Sequence, residues 1–213
     1  MILDDMKIID TQRRGMLVGL AMLIGLLTGN SALGQTAQQV LDKTAAIVSA
    51  KDGAKAHFSI KGDYMTADGT IAIKGKKFCA TTEQATIWFD GKTQWTYMKK
   101  NDEVNVANPS ESQVQALNPY NFIYMYKNGY SYTMEKQGGN FIVRLTAKDK
   151  KKSIQEMVLT IGQKSYTPSQ VRMKRQKGWT TIDITGFKQA KLADSMFRFN
   201  AKDFPTAEVI DLR

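Results

Sequence analysis

The sequence is poor in the residues that most often build reactive centres. Its 213 residues include one Cys and one His, which excludes a disulfide framework, a multi-cysteine metal site and a His-rich metal centre. Gly (16) and Pro (4) are too few for a fibrous or low-complexity chain. Neither a nucleophile elbow, nor a phosphate-binding glycine loop, nor a zinc-protease motif occurs. The sequence therefore predicts a protein that is not an enzyme and that uses no cofactor and no metal.

An apolar run near the start predicts a secretory signal. Residues 15–27 carry no charge and follow the pair Arg13 and Arg14. A membrane-spanning helix needs ~20 residues, so this run fits the apolar region of a signal better than a permanent anchor. An uncleaved anchor is the alternative.

Small residues mark the predicted cleavage point. Ala32 and Gly34 stand at the third and first positions before it, so we expect cleavage after Gly34. The only Cys, Cys79, lies far from the new N-terminus, so the mature chain is not expected to be a lipoprotein itself. The predicted location is the periplasm.

The charge balance predicts anionic partners. Thirty Lys and Arg against 20 Asp and Glu give a net charge of +10. The secretory signal argues against nucleic acid as a partner, which leaves lipid headgroups or acidic protein faces and predicts transient membrane contact. The basic run 148–152 is most simply a solvated turn.

Two periodicities divide the mature chain. Residues 36–50 place Val40, Leu41, Thr44, Ile47 and Val48 on one helical face. Alternating patterns then predict strands at 56–64, 69–76, 84–89, 93–98, 103–107, 130–135, 140–148, 154–162, 168–176 and 179–187. A helical insert is expected near 110–127, and an irregular or short-helical tail at 194–213.

This pattern predicts one α+β domain over residues 35–213. The expected architecture is an unclosed antiparallel β-barrel, or strongly curved sheet, of about 11 strands with helices covering its open side. Apolar residues of the strands and of the insert, taken as a set, should line a cavity, although for each residue taken singly an ordinary core is the better interpretation. These residues are Phe58, Ile60, Ile71, Ile73, Phe78, Ile87, Phe89, Trp95, Tyr97, Phe122, Met173 and Ile182.

One hairpin carries a family resemblance. Residues 87–97, Ile-Trp-Phe-Asp-Gly-Lys-Thr-Gln-Trp-Thr-Tyr, resemble the S-D-G-K-T-x-W-x-Y hairpin of outer-membrane lipoprotein carrier proteins, the LolA-like family. The helical interruption with Asn118-Pro119 and the ending from Phe197 to Arg213 are similar to the family pattern as well. The resemblance covers nearly the whole mature chain.

The resemblance implies a function for the cavity. A monomeric carrier of this family holds lipoprotein acyl chains while it moves them from the inner to the outer membrane. Its implied partners are lipoproteins, an inner-membrane lipoprotein-releasing transporter and an outer-membrane acceptor. An acyl chain of about 15 methylenes costs roughly 12 kcal/mol to expose to water, so the twelve cavity residues become the predicted acyl-chain-binding residues.

One departure from the family concerns its lid. Such carriers often have an Arg-Pro pair just after the Gly-x-x-x-x-Lys strand, where this chain reads Lys74-Gly75-Lys76-Lys77-Phe78. Lys76 is the predicted lid contact in place of the Arg, as a point charge rather than a bidentate donor. The alternative function is a periplasmic module that uses the same fold to sense lipids or lipoproteins or to bind a protein.

Overall fold

The computed structural model describes residues 35–62, 65–110, 125–175 and 178–213. Residues from Thr36 to Arg213 group into one compact unit. The predicted signal at 1–34 and most of the predicted insert at 110–127 lie outside the described residues, so both stay predictions.

Helix α1, Ala37–Val48, begins at a capping box. The Thr36 hydroxyl accepts a hydrogen bond from the Gln39 amide at 3.2 Å, and the Gln39 side chain accepts one from the Thr36 amide at 2.9 Å. This reciprocal pair satisfies two amides that have no partner within the helix. The buried residues of α1 are Val40, Leu41, Thr44, Ala45 and Val48, which confirms the predicted amphipathic helix.

Twelve strands form one sheet in the described part of the chain. They are β1 Ala54–Gly62, β2 Met65–Lys74, β3 Lys77–Thr82, β4 Ala85–Phe89, β5 Gln94–Met98, β6 Glu103–Ala107, β7 Tyr130–Gln137, β8 Asn140–Ala147, β9 Glu156–Gly162, β10 Pro168–Arg175, β11 Gly178–Gln189 and β12 Glu208–Asp211. Their order is β12-β6-β5-β4-β3-β2-β1-β11-β10-β9-β8-β7. The sheet ends at β12 and β7 instead of joining them, so it is a strongly curved, unclosed sheet, as predicted.

Two strands differ from the prediction. Strand β3 follows β2 after a two-residue turn in which Gly75 has a φ of +58°, so its pattern merges with that of β2 in the sequence. The tail contains two 3-10 helices, Asp194–Phe197 and Ala201–Asp203, and then β12, which pairs with β6 in parallel. The sheet is therefore mixed and has 12 strands rather than about 11 antiparallel ones.

Apolar residues pack on both faces of the sheet. The inner face, which carries Phe58, forms the main core together with α1. The outer face carries a smaller cluster around Ala72, Leu192 and Phe197, against which Cys79 and Met196 pack. The tail thus covers part of the outer face, while α1 covers part of the inner face.

Candidate functional site

Strand register brings most of the predicted cavity residues together. Ile73 pairs with Phe78, and Phe78 pairs with Phe89. Ile60 pairs with Ile182 across β1 and β11. Because directly paired residues point to the same face, these strands build one continuous apolar surface. Nine predicted residues share this inner face: Phe58, Ile60, Ile71, Ile73, Phe78, Ile87, Phe89, Met173 and Ile182.

Burial divides these nine residues into two groups. Seven are buried in the main core, among them Phe78, which has no exposed surface. Ile60 and Ile87 are only half-buried and pack against the margin of that core. The described part of the inner face therefore combines a filled centre with an apolar margin that solvent reaches.

Trp95 and Tyr97 lie on the outer face, which corrects the prediction that they line the inside with the others. Gln94 is the partner of Phe89 across the β4–β5 hairpin, so Trp95 falls on the opposite face and pairs with Trp88. Tyr97 packs against Phe204 of the tail, with the ring centroids 4.6 Å apart and the rings tilted. Because the tail covers this part of the outer face, aromatic side chains are favourable there. The alternation of apolar residues in β5 does not reveal that cover. Phe122 lies outside the described residues.

The Asp-Gly-Lys-Thr sequence of the β4–β5 hairpin is a turn device. A side-chain oxygen of Asp90 accepts hydrogen bonds from the amides of Lys92 at 3.0 Å and Thr93 at 2.9 Å. Gly91 has a φ of +103°, which side chains rarely tolerate. The buried Thr93 hydroxyl donates to the side chain of Asn108 at 3.0 Å. The Asp-Gly-Lys-Thr part of the family motif therefore fixes local geometry, whereas Ile87 and Phe89 of the same segment lie on the inner face.

The turn that holds Lys76 is tied to the tail by the lysines on either side of it. Lys74 donates to the Leu192 carbonyl at 2.9 Å and pairs with Asp194 at 2.8 Å. Lys77 pairs with the same carboxylate at 3.0 Å. These two ammonium groups lower the pKa of Asp194. Lys76 itself is exposed, and its lid contact stays a prediction.

Polar contacts attach α1 to β7 and to the segments just before β7 and between β9 and β10. Asp42 accepts a hydrogen bond from the Tyr126 hydroxyl, and Gln38 accepts one from Tyr132 at 3.2 Å. The Lys43 ammonium lies 4.7 Å from the centre of the Tyr166 ring. The helix is thus held over the core by its apolar face and by a border of contacts that water can replace.

The described residues offer little reactive chemistry. They contain no group of three or more His, Cys, Asp or Glu placed to hold a metal ion. Burial raises the pKa of the Cys79 thiol, which makes it a poor nucleophile. Within the same residues, no helix combines the length and apolar character that a membrane span requires.

A hollow of about 540 Å³ opens on the outer face. Its lining combines six polar residues with two others, Phe58 and Gly69; the polar residues are His57, Ser59, Asp68, Thr70, Asp183 and Thr185. Such a lining does not suit an acyl chain, so the apolar inner face is the better candidate site.

The described residues thus combine an unclosed curved sheet, an apolar inner face and a helix that covers part of it. Residues 28–177, well over half of the chain, match the family model described as outer membrane lipoprotein carrier protein LolA. The chain belongs to this family, which is one of carriers rather than of enzymes. The match ends before the tail, so the tail resemblance is outside it.

Several solved structures are similar to this chain, and one of them has a TM-score above 0.5. An uncharacterized conserved protein from Thermus thermophilus is 12% identical, with a TM-score of 0.57 over 82% of this chain and 98% of that one. A LolA superfamily protein from Nitrosomonas europaea is 15% identical, with a TM-score of 0.43 over 77% and 98%. A putative outer membrane lipoprotein-sorting protein domain from Vibrio parahaemolyticus is 13% identical, with a TM-score of 0.44 over 75% and 95%. The Thermus likeness shows the fold alone. No curated protein matches the chain significantly.

Proposed function

We propose that this protein is a periplasmic carrier that binds lipoprotein acyl chains against its inner face and moves them from the inner to the outer membrane. One observation carries the proposal: an unclosed sheet presents a continuous apolar face, and the helix that covers it is held at its border by replaceable polar contacts. The partners are lipoproteins, a releasing transporter in the inner membrane and an acceptor at the outer membrane.

The physical requirement is that the carrier both covers and releases its cargo. Each buried methylene contributes ~0.8 kcal/mol, so an acyl chain stays bound only while apolar surface is available to it. In the closed arrangement Val40 and Leu41 of α1 occupy part of that surface, with 0% and 2% exposure. An incoming chain must therefore displace α1 side chains, and the return of α1 favours release. The carrier thus alternates between a self-filled and a cargo-filled interior.

The half-buried margin of the inner face gives the sharpest test. Ile60→Glu and Ile87→Glu place a carboxylate where an acyl chain would lie, yet both positions are accessible enough for the fold to survive. We expect uptake of a neutral pyrene-labelled fatty acid methyl ester to fall by a factor of ten or more, since ~1.4 kcal/mol is tenfold and an unpaired polar group costs more than that.

A matched control comes from the outer face. Thr160 is half-buried on β9, and Thr160→Glu should leave uptake unchanged. Urea unfolding of all three variants checks that the fold is intact. If the wild-type chain takes up no probe, or if Thr160→Glu lowers uptake as much as the inner-face variants, the carrier function is wrong. In the first case the sensing or protein-binding module is the better hypothesis.

A further inference from the structure

Three cations lie in one row across the outer face. Arg144 of β8 pairs with Val158 of β9, and Val158 pairs with Arg172 of β10. Arg172 pairs with Thr181 of β11, which pairs with Lys61 of β1. Since neighbouring strands are ~4.8 Å apart and paired side chains share a face, the three cations stand at intervals of about 10 Å. The row spans five strands of the sheet.

The adjacent row adds an aromatic residue and a shared carboxylate. Trp179 pairs with Lys174, and its ring lies 4.8 Å from the Arg172 guanidinium and 5.9 Å from the Lys174 ammonium. The Lys174 ammonium donates a hydrogen bond to the Glu156 carboxylate at 2.9 Å, and the Arg144 guanidinium lies 3.8 Å from the same carboxylate. Cation–π contact thus positions two cations beside the indole, and one carboxylate is divided between two basic groups.

A lysine-rich loop continues this surface at the same end of the sheet. Residues 148–152 read Lys-Asp-Lys-Lys-Lys and are exposed except for the half-buried Lys152. The backbone of the loop is fixed: the Lys148 amide donates to the Gly129 carbonyl at 3.0 Å, and the Gln155 side chain donates to the Lys150 carbonyl at 3.0 Å. The Gln155 amide also donates to the Lys174 carbonyl at 2.9 Å, which places the loop beside β10.

We propose that this basic patch docks the protein onto a bilayer surface rich in anionic lipid headgroups. The patch consists of Lys61, Arg144, Arg172, Lys174, Trp179 and residues 148–152. Asp149 within the patch and Glu156 beside it are both engaged: the Lys151 amide donates to Asp149 at 2.8 Å, and Glu156 pairs with Lys174 and Arg144. Each Lys or Arg near an anionic membrane contributes ~1 kcal/mol, and Trp favours the interface. A broad, repeated array suits mobile headgroups better than the fixed charge pattern of one acidic protein.

The role of this docking surface rests on the proposed carrier function. A carrier that exchanges acyl chains with two membranes gains from being held at their surfaces, while its inner face stays free. The attraction is electrostatic and should weaken as salt rises, because the Debye length falls to ~10 Å at 0.1 M.

The test is co-sedimentation with vesicles at low salt. The wild-type chain should bind mixed phosphatidylglycerol–phosphatidylcholine vesicles and not pure phosphatidylcholine vesicles. The triple variant Lys148→Gln, Lys150→Gln, Lys151→Gln changes only exposed loop side chains. It should bind the anionic vesicles roughly 100-fold more weakly, from ~1 kcal/mol per charge and ~1.4 kcal/mol per tenfold change.

A second triple variant removes three positive charges from a different part of the surface and serves as the control. Lys51, Lys164 and Lys188 are exposed at the other end of the sheet, and changing all three to Gln should leave vesicle binding close to wild type. If both triple variants lost the same amount of vesicle binding, the proposal of a local docking patch would be wrong. Wild-type binding to polyglutamate without binding to anionic vesicles would assign the patch to an acidic protein instead.

Probe uptake separates this proposal from the carrier function. The loop triple should take up the acyl probe as the wild type does. Vesicle binding without uptake counts against the carrier function alone, whereas uptake without vesicle binding overturns the docking surface alone.

Discussion

Arg198 of the tail forms an ion pair with Asp90 of the β4–β5 hairpin at 3.3 Å. The same carboxylate closes the turn through two backbone amides, so one side chain both shapes the hairpin and holds the tail. Trp88, on the adjoining strand, packs against Phe199 and Phe204 at 5.7 Å and 5.6 Å. The hairpin is thus one of the attachment points of the C-terminal segment, besides the Asp194 contacts and the pairing of β12 with β6.

The first prediction separates these two roles of Asp90. Asp90→Ala should lower the free energy of unfolding by about 1–2 kcal/mol, because two backbone amides lose their acceptor. Arg198→Ala should cost less than about 1 kcal/mol, since an exposed ion pair contributes little. Urea unfolding measures both. Equal costs would mean that the ion pair, and not the turn, is the main contribution of Asp90.

The second prediction concerns acid. Lys74 and Lys77 lower the pKa of Asp194 below its ordinary value of 3.8. Because the folded-state pKa is the lower one, the stabilisation is complete above the unfolded pKa and is lost as pH falls through the folded pKa. We therefore expect the urea midpoint of Asp194→Asn to change less than that of the wild type as the pH is lowered from about 5 to about 3.

The Lys74→Ala, Lys77→Ala double variant is the matched partner of that experiment. It removes the cause of the shifted pKa and should flatten the same part of the curve. If the urea midpoints of both variants fall with pH as steeply as that of the wild type, the contact between Asp194 and the two lysines contributes nothing to stability in solution. The effect is small in any case, because Asp194 is exposed.

The third prediction addresses the motion of α1. Thr36→Ala removes one half of the capping box and should destabilise the helix by ~1 kcal/mol. If displacement of α1 limits exchange, the bound acyl probe should dissociate about fivefold faster. Stopped-flow fluorescence measures the rate, and Thr146→Ala on the outer face is the control. An unchanged rate for Thr36→Ala would mean that cargo leaves without opening the helix.

Local patterns predicted much of this fold. Helix α1 follows from apolar residues at helical spacing after Thr36, and the β4–β5 hairpin follows from Asp90-Gly91 between alternating strands. Both depend on contacts between near neighbours. Strand β12 could not be predicted in this way, because its four residues pair in parallel with β6, some hundred residues earlier in the chain.

Most of the candidate site could also be predicted from the sequence. Alternation assigned nine of the twelve residues to one face, because a strand has a strict period of two. It failed for Trp95 and Tyr97, because apolar character does not reveal which face is inside when a distant segment covers the other. The basic patch depends on register across five strands, and no single segment of sequence contains that information.

The parallel pairing of β12 with β6 has a consequence for solubility. In the described part of the chain the open sheet ends at two border strands, and an uncovered border could recruit the border of another molecule into a growing polymer. One border here is the four-residue strand β12, which carries Glu208 and Asp211; Arg213, two residues after Asp211, donates a hydrogen bond to its carboxylate. The other, β7, carries Ser131, Thr133 and Glu135 toward solvent. The short length of β12 and the polar and charged side chains on both border strands make these borders poor templates for fibre growth.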